Sequence, residues 1–160
     1  MSHAPEFDTA ACALAHGAIQ PAADGRALVA VFDSPVATHL LHFAATLGYR
    51  VALAEPGLDD VTVDAGTDVV VTDHDRPELG VVLRDALRTP ARWIGVMGSP
   101  RHAGPHVAAL RELGVEEDEI ARVHRPIGLN IGSKTPAEIA LATLAGLLAD
   151  RNGRPGGHTF

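Results

Sequence analysis

A chain of 160 residues that is 46% hydrophobic, 4% aromatic and 21% charged has room for one core, and its Ala, Val and Leu suit buried parallel strands packed by helices. The formal net charge of −7 argues against nucleic-acid backbones and anionic membranes as partners, because both call for a basic face. Cys12 is the only cysteine, no run of 18 apolar residues occurs, and the N-terminus lacks the basic start of a secretory signal. An internal disulfide is thereby excluded, no multi-thiolate metal site can be built from one chain, and a cytoplasmic location is expected.

Residues 1–25 form a weakly patterned extension in which Thr9 to Ile19 is Ala-rich and predicts one helix, closed by Gly17 or Pro21. The domain proper is expected over 26–150. Ala27 to Phe32 is a short apolar run, the mark of a central buried strand. Val36 to Leu47 has helical spacing and stops at Gly48. Strands are predicted at Arg50–Ala54, Asp68–Thr72 and Arg92–Val96, with helices at Pro77–Leu87 and Val107–Leu113. The acidic run Glu116 to Glu119 reads as a solvated helix start, where negative charge meets the positive end of the helix dipole. The last helix, from Pro136 to about Ala149, is apolar nearly all round, which predicts deep packing or a subunit contact. Residues 151–160 read as a disordered tail. This alternation predicts an α/β fold, a Rossmann-like doubly wound parallel sheet in a single domain, with any ligand beyond the carboxyl ends of the strands.

Three helices are expected to begin with one device: Ser34-Pro35, Ser99-Pro100 and Thr135-Pro136. The hydroxyl caps the first turn, and proline at the first helical position lacks only an N–H that would be orphaned. Thr135 and Glu138 complete a capping box. Such helix starts also present backbone donors to an anion. After the first strand, however, Asp33 to Thr38 lacks all three glycines of a dinucleotide fingerprint. Pro35 hinders close approach of a pyrophosphate, and a carboxylate about 4 Å from a phosphate charge costs roughly 4 kcal/mol at an effective dielectric of 20. Binding of NAD(P) is therefore disfavoured.

Glu55, after the second strand, stands where an acidic residue binds a ribose hydroxyl, or is a solvated loop carboxylate. With Asp33, Asp73, His74 and Asp75 it reads either as an acidic crown for a divalent cation or as caps and turns. Gly128 to Thr135 departs from phosphate-loop spacing, yet two glycines, Lys134 and a capped helix start make an anion nest. The pairs His39/His42 and His102/His106 have metal-compatible helical spacing but read as surface histidines, and no metal is expected.

Three segments, Trp93-Ile-Gly-Val-Met-Gly-Ser99, Pro126-Ile-Gly-Leu-Asn-Ile-Gly132 and Thr135-Pro-Ala-Glu-Ile-Ala140, in this order and spacing resemble the Rossmann domain of the XdhC/CoxI family. That family shows a Tyr-Ile-Gly strand into Gly-Ser-Arg-Arg-Lys, then Pro-Ile-Gly-Leu-Asp-Ile-Gly and a Thr-Pro-x-Glu-Ile-Ala helix. The resemblance covers about residues 28–150. It implies a chaperone of molybdenum hydroxylase maturation, for enzymes of the xanthine or carbon monoxide dehydrogenase type. Such a protein binds the molybdenum cofactor (molybdopterin), protects it and hands it to the apoenzyme; several members form dimers. Full-length members carry a further N-terminal domain with a cysteine linked to cofactor binding, which this sequence is not expected to contain, and Cys12 matches no such motif. Arg101 keeps a basic position, whereas Pro100 and His102 replace Arg and Lys, and Asn130 replaces Asp.

The residues expected to hold a phosphate-bearing cofactor are Ser34, Glu55, Gly98, Ser99, Arg101, Gly128, Asn130, Gly132, Lys134 and Thr135. No catalytic residue is assigned. The expected partners are a molybdenum hydroxylase apoenzyme or maturation protein and a second copy in a homodimer. An NAD(P)-dependent oxidoreductase and a non-catalytic oligomerisation scaffold are the alternatives.

Overall fold

Apolar runs of strand length alternate with helical segments along the chain. The structure, a computed structural model describing residues 9–18, 25–101 and 104–158, turns them into one parallel sheet. In order the elements are α1 (Thr9–Ala15), β1 (Ala27–Val31), α2 (Pro35–Thr46), β2 (Arg50–Ala54), β3 (Thr67–Val71) and α3 (Leu79–Leu87). There follow β4 (Trp93–Val96), α4 (Pro105–Glu112), α5 (Glu117–Ile120), β5 (Val123–His124) and α6 (Pro136–Arg151). The strands lie in the order β2-β1-β3-β4-β5, every neighbouring pair parallel. This is the doubly wound α/β architecture that the apolar patterning predicts.

Strand side chains alternate between two faces. On one face Val29, Val31, Val69, Val71, Ile94 and Val96 meet Leu79, Leu83 and Leu110 of α3 and α4. On the other, Leu28, Ala30 and Val70 meet Leu40 and Ala44 of α2 and Ala140, Leu144 and Leu147 of α6. Every residue of β1 and β3 is buried, as central strands covered on both faces must be. Each fully buried leucine or valine contributes roughly 1.5–3 kcal/mol, so the two layers hold the sheet without disulfides.

One charged residue lies inside this core. Asp68 in β3 is fully buried; its Oδ1 accepts from Arg92 Nε at 2.7 Å and its Oδ2 from Arg151 Nε at 3.1 Å. Arg151 also donates to the carbonyl of Gly66 at 2.6 Å, and Arg92 to Asp150 at 2.6 Å. Burial pushes the Asp68 carboxyl above its usual range, against the pull of both guanidiniums. The cluster ties the end of α6 to the amino end of the sheet.

The predicted elements fall within two residues of the observed ones at each end, with four instructive differences. Phe32, expected in the first strand, has a φ of +73° and turns the chain out of the sheet. Ser99 caps no helix: α4 begins at Pro105 with Gly104 before it, and Ser99 Oγ instead accepts the Arg101 N–H at 3.2 Å, closing a local turn. Arg151, expected in the tail, is the last residue of α6 because Asp68 and Gly66 hold its side chain. The first helix ends at Ala15, with Gly17 at φ +68° just beyond. Ile19 and the following residues to Asp24, like His102, lie outside the described residues.

Candidate functional site

From β1 the chain passes through α2 to β2 on one side, then returns to β3 on the other side of β1. That reversal makes a switch point, and ligands of open α/β sheets bind beyond the carboxyl ends of the strands there. Phe32 sits at this point, fully buried, its left-handed backbone strained for a residue with a side chain. The Thr72 hydroxyl, 2.9 Å from the carbonyl of Val31 and 3.0 Å from that of Phe32, holds the turn in place. With its proton directed at these carbonyls, Thr72 accepts from the Ser34 hydroxyl at 2.9 Å. Ser34 Oγ in turn accepts the Ala37 N–H at 3.1 Å as the cap of α2. Both functions of the Ser34 hydroxyl are thus committed to the protein.

The same edge carries an internal anion. The Glu55 carboxylate accepts the Asp33 N–H at 2.7 Å, one residue ahead of the α2 cap, and pairs with Arg76. Arg76, then the Asp33 N–H, hold the Glu55 carboxyl below its ordinary value. The Arg76 guanidinium lies 4.4 Å from the Phe32 ring centroid and also meets Glu78. Of the residues grouped as an acidic crown, Glu55 is therefore neutralised by a guanidinium, and Asp73 accepts the Asp75 N–H at 2.9 Å. His74 Nδ1 lies 3.1 Å from the Met97 carbonyl and donates to it. Among the described residues no group of three His, Cys, Asp or Glu is placed to hold a metal ion. His39 and His42 instead flank Phe43, each with ring centroids 6.0 Å away.

α6 repeats the device. Thr135 and Glu138 form the predicted capping box, and Glu138 Oε2 accepts the N–H groups of both Lys134 and Thr135, at 3.0 and 3.1 Å. Those two N–H groups hold the Glu138 carboxyl below its ordinary value. Two of the backbone donors that an anion nest would offer here are thus already taken by a carboxylate. The glycines before it have packing reasons of their own. Gly128, at φ +87°, approaches α6 so closely that a Cβ would lie 3.1 Å from the Thr143 nitrogen, and Leu129 N–H donates to the Ala142 carbonyl at 3.0 Å. Gly132, at φ +71°, faces open space. Asn130 and Lys134 are exposed on this loop.

The turn after β4 is different. Gly98 lies beneath Arg125, whose guanidinium would be 2.5 Å from a Cβ at that position, and Arg125 Nη2 donates to the Ser99 carbonyl at 3.1 Å. Arg101 is exposed and its guanidinium makes no hydrogen bond or ion pair among the described residues. The His106 ring packs against Gly104 beside Arg125. It is 7% exposed, its Nδ1 has no partner among the described residues, and burial, then Arg125, lower its pKa. The imidazole is thus kept neutral and adds no charge of its own. The structure brings Gly98 and Ser99 together with Arg125 and leaves Arg101 exposed two residues further on; it sets Ser34 and Glu55 at the β1 edge and Gly128 to Thr135 against α6.

Sequence reasoning passed over Arg125, Arg76 and Thr72. Their spacing to Ser99, Glu55 and Ser34 is 26, 21 and 38 residues, so no local pattern marks them.

With this geometry in place, residues 28–147 match the XdhC Rossmann domain family. The chain belongs to that family. The uncharacterized protein YqeB of Escherichia coli K12 is 37% identical to this XdhC domain over 123 residues, spanning 77% of this chain and 21% of its own length. A crystal structure of a xanthine dehydrogenase from Bacillus halodurans shares the fold, with a TM-score of 0.64 at 18% identity over 84% of this chain and 45% of that one. The chain therefore spans about a fifth of the first relative and under half of the second. Among the described residues no helix is long and apolar enough to cross a membrane.

Proposed function

We propose that this XdhC domain serves in the maturation of a molybdenum hydroxylase of xanthine or carbon monoxide dehydrogenase type. In this reading it binds the phosphate of the molybdenum cofactor at the turn after β4 and meets the apoenzyme or a maturation protein there. One observation carries the reading. Two of the three candidate anion positions are filled by the chain's own carboxylates, Glu55 and Glu138, whereas Ser99 and Arg101 meet no carboxylate among the described residues. The residues fit a phosphate: Arg101 would supply charge-assisted hydrogen bonds, and glycine at 98 lets the Arg125 guanidinium lie against the backbone, where it adds positive charge.

Metal and sulfur chemistry would come from the cofactor when bound; the residues named here hold and orient its phosphate. The reading is of a carrier, because the groups at this turn, Ser99, Arg101 and Arg125, bind and orient an anion rather than react with it. Glu55, paired with Arg76, works against NAD(P) at the first strand by taking the Asp33 N–H that a pyrophosphate would need. The test is binding of molybdenum cofactor to wild-type protein and to Arg101→Ala and Ser34→Ala under anaerobic conditions. A charge-assisted hydrogen bond is worth about 1.5–3 kcal/mol, so Arg101→Ala is expected to weaken binding by roughly tenfold or more, with Ser34→Ala near wild type. Equal binding by wild type and Arg101→Ala would overturn the placement.

Self-association is a second reading, supported by Leu141 on α6 and Ile131 before it, which are 54% and 55% exposed. Light scattering tests it: a dimer that Leu141→Glu dissociates supports the homodimer, and a wild-type monomer at high concentration removes it.

A further inference from the structure

A cavity of about 250 Å³ opens between α6 and the segment after β5, sharing none of its lining with the turn after β4. Trp93, His124, Leu129, Gly146, Asp150 and Arg154 are among the residues around it. The rings of Trp93 and His124 stack with centroids 4.9 Å apart and planes 5° apart. The sheet produces this pair. Trp93 and Gly95 are two apart on β4 and so share a face, and the register sets His124 opposite Gly95. Glycine at 95 is what admits the indole, since a Cβ there would overlap the Trp93 ring. The wall opposite is fixed where Gly146 of α6 meets Gly128, a Cβ on Gly146 lying 3.2 Å from the Gly128 Cα.

Two polar residues line the same cavity with hydrogen-bonding capacity left over. Asp150 Oδ2 takes Arg92 Nη1 at 2.6 Å, while Oδ1 accepts nothing among the described residues. The Arg154 guanidinium, exposed, makes no hydrogen bond or ion pair among the described residues. An aromatic pair, a hydrogen-bond acceptor and a cation around one cavity make a recognisable set. Aromatic rings accept the face of any nucleobase, a carboxylate accepts from ring N–H groups, and a guanidinium takes a phosphate. The volume lies just under the roughly 300–1,000 Å³ of pockets for drug-sized ligands, which suits one ring system rather than a dinucleotide.

We infer that this cavity binds a planar nitrogen heterocycle carrying an acidic group, of the purine mononucleotide class, with its ring on the Trp93–His124 pair and its phosphate on Arg154. The inference stands apart from the cofactor reading, which rests on Arg101 and Arg125. Trp93 is the only tryptophan of the chain, so its fluorescence reports on the site directly. Titration of the full chain with guanosine 5′-monophosphate is expected to quench it saturably. Arg154→Ala, which keeps the fluorophore and alters only an exposed side chain, is expected to weaken the titration by roughly tenfold or more. Guanosine without its phosphate is expected to bind wild type about as weakly. The exposed Arg88→Ala serves as a control for lost charge and is expected to titrate as wild type. Absence of quenching at millimolar nucleotide, or equal quenching of wild type and Arg154→Ala, would overturn the proposal.

Discussion

Asp68 shows how much a single residue depends on partners remote in sequence. Its carboxylate is fully buried, and its two guanidinium partners, Arg92 and Arg151, are 24 and 83 residues away. Removing it leaves both cations without their buried counter-charge, so Asp68→Ala is expected to destabilise the fold by about 3–5 kcal/mol, read as a lower urea midpoint. The patterning of β3 as a central apolar strand was legible, but an aspartate inside it was not explained by anything near it in the chain. Glu138 and Glu55 work in the opposite electrostatic sense. Both are held below the ordinary glutamate value of about 4.5 by N–H groups or Arg76. As pH falls, the unfolded chain takes up these protons first, so their contribution is complete above that value and is lost as pH falls through the folded-state pKa values. Thermal melts from neutral to acid pH are therefore expected to show a shallower acid loss for Glu138→Gln than for wild type. Because these carboxylates are exposed, the difference should shrink in high salt.

Helix starts divide into those that local sequence determines and those that it does not. Ser34 and Thr135 cap α2 and α6 as their Ser-Pro and Thr-Pro spellings predict, because a cap needs only its own first turn. Thr135→Ala is accordingly expected to cost about 1 kcal/mol in a denaturant titration. Ser99-Pro100 has the same spelling, yet Ser99 turns back on Arg101 and α4 starts only at Pro105. What differs is tertiary: Arg125 takes the Ser99 carbonyl and lies over Gly98, which fixes the turn in a form a helix start could not share. Gly98→Ala tests that account. Its Cβ would displace the guanidinium, a movable group, so cofactor binding should fall with little change in thermal midpoint. Gly128→Ala should behave otherwise, because its positive φ and its backbone contact with α6 leave nothing to yield; a clear loss of stability is expected.

At the scale of the molecule, the strand order β2-β1-β3-β4-β5 and the residues at its carboxyl edge decide what the domain can hold. The alternation of apolar runs made the sheet legible, and β2 has the predicted bounds, Arg50–Ala54. The candidate site was legible only as three separate helix starts. Folding commits two of them to internal carboxylates and gathers charge at the third through Arg125, which no motif announced. The family match agrees with the fold, and the domain is one part of its longer relatives. In the proposed function an anionic cofactor sits at the turn after β4 and the first strand disfavours a dinucleotide. Isothermal titration of the purified chain with molybdenum cofactor, anaerobically, and separately with NAD⁺ and NADP⁺ tests both halves together. Cofactor binding that Arg101→Ala weakens, with no nicotinamide binding, is expected; micromolar binding of NAD⁺ or NADP⁺, or cofactor binding indifferent to Arg101→Ala, would contradict the proposed function.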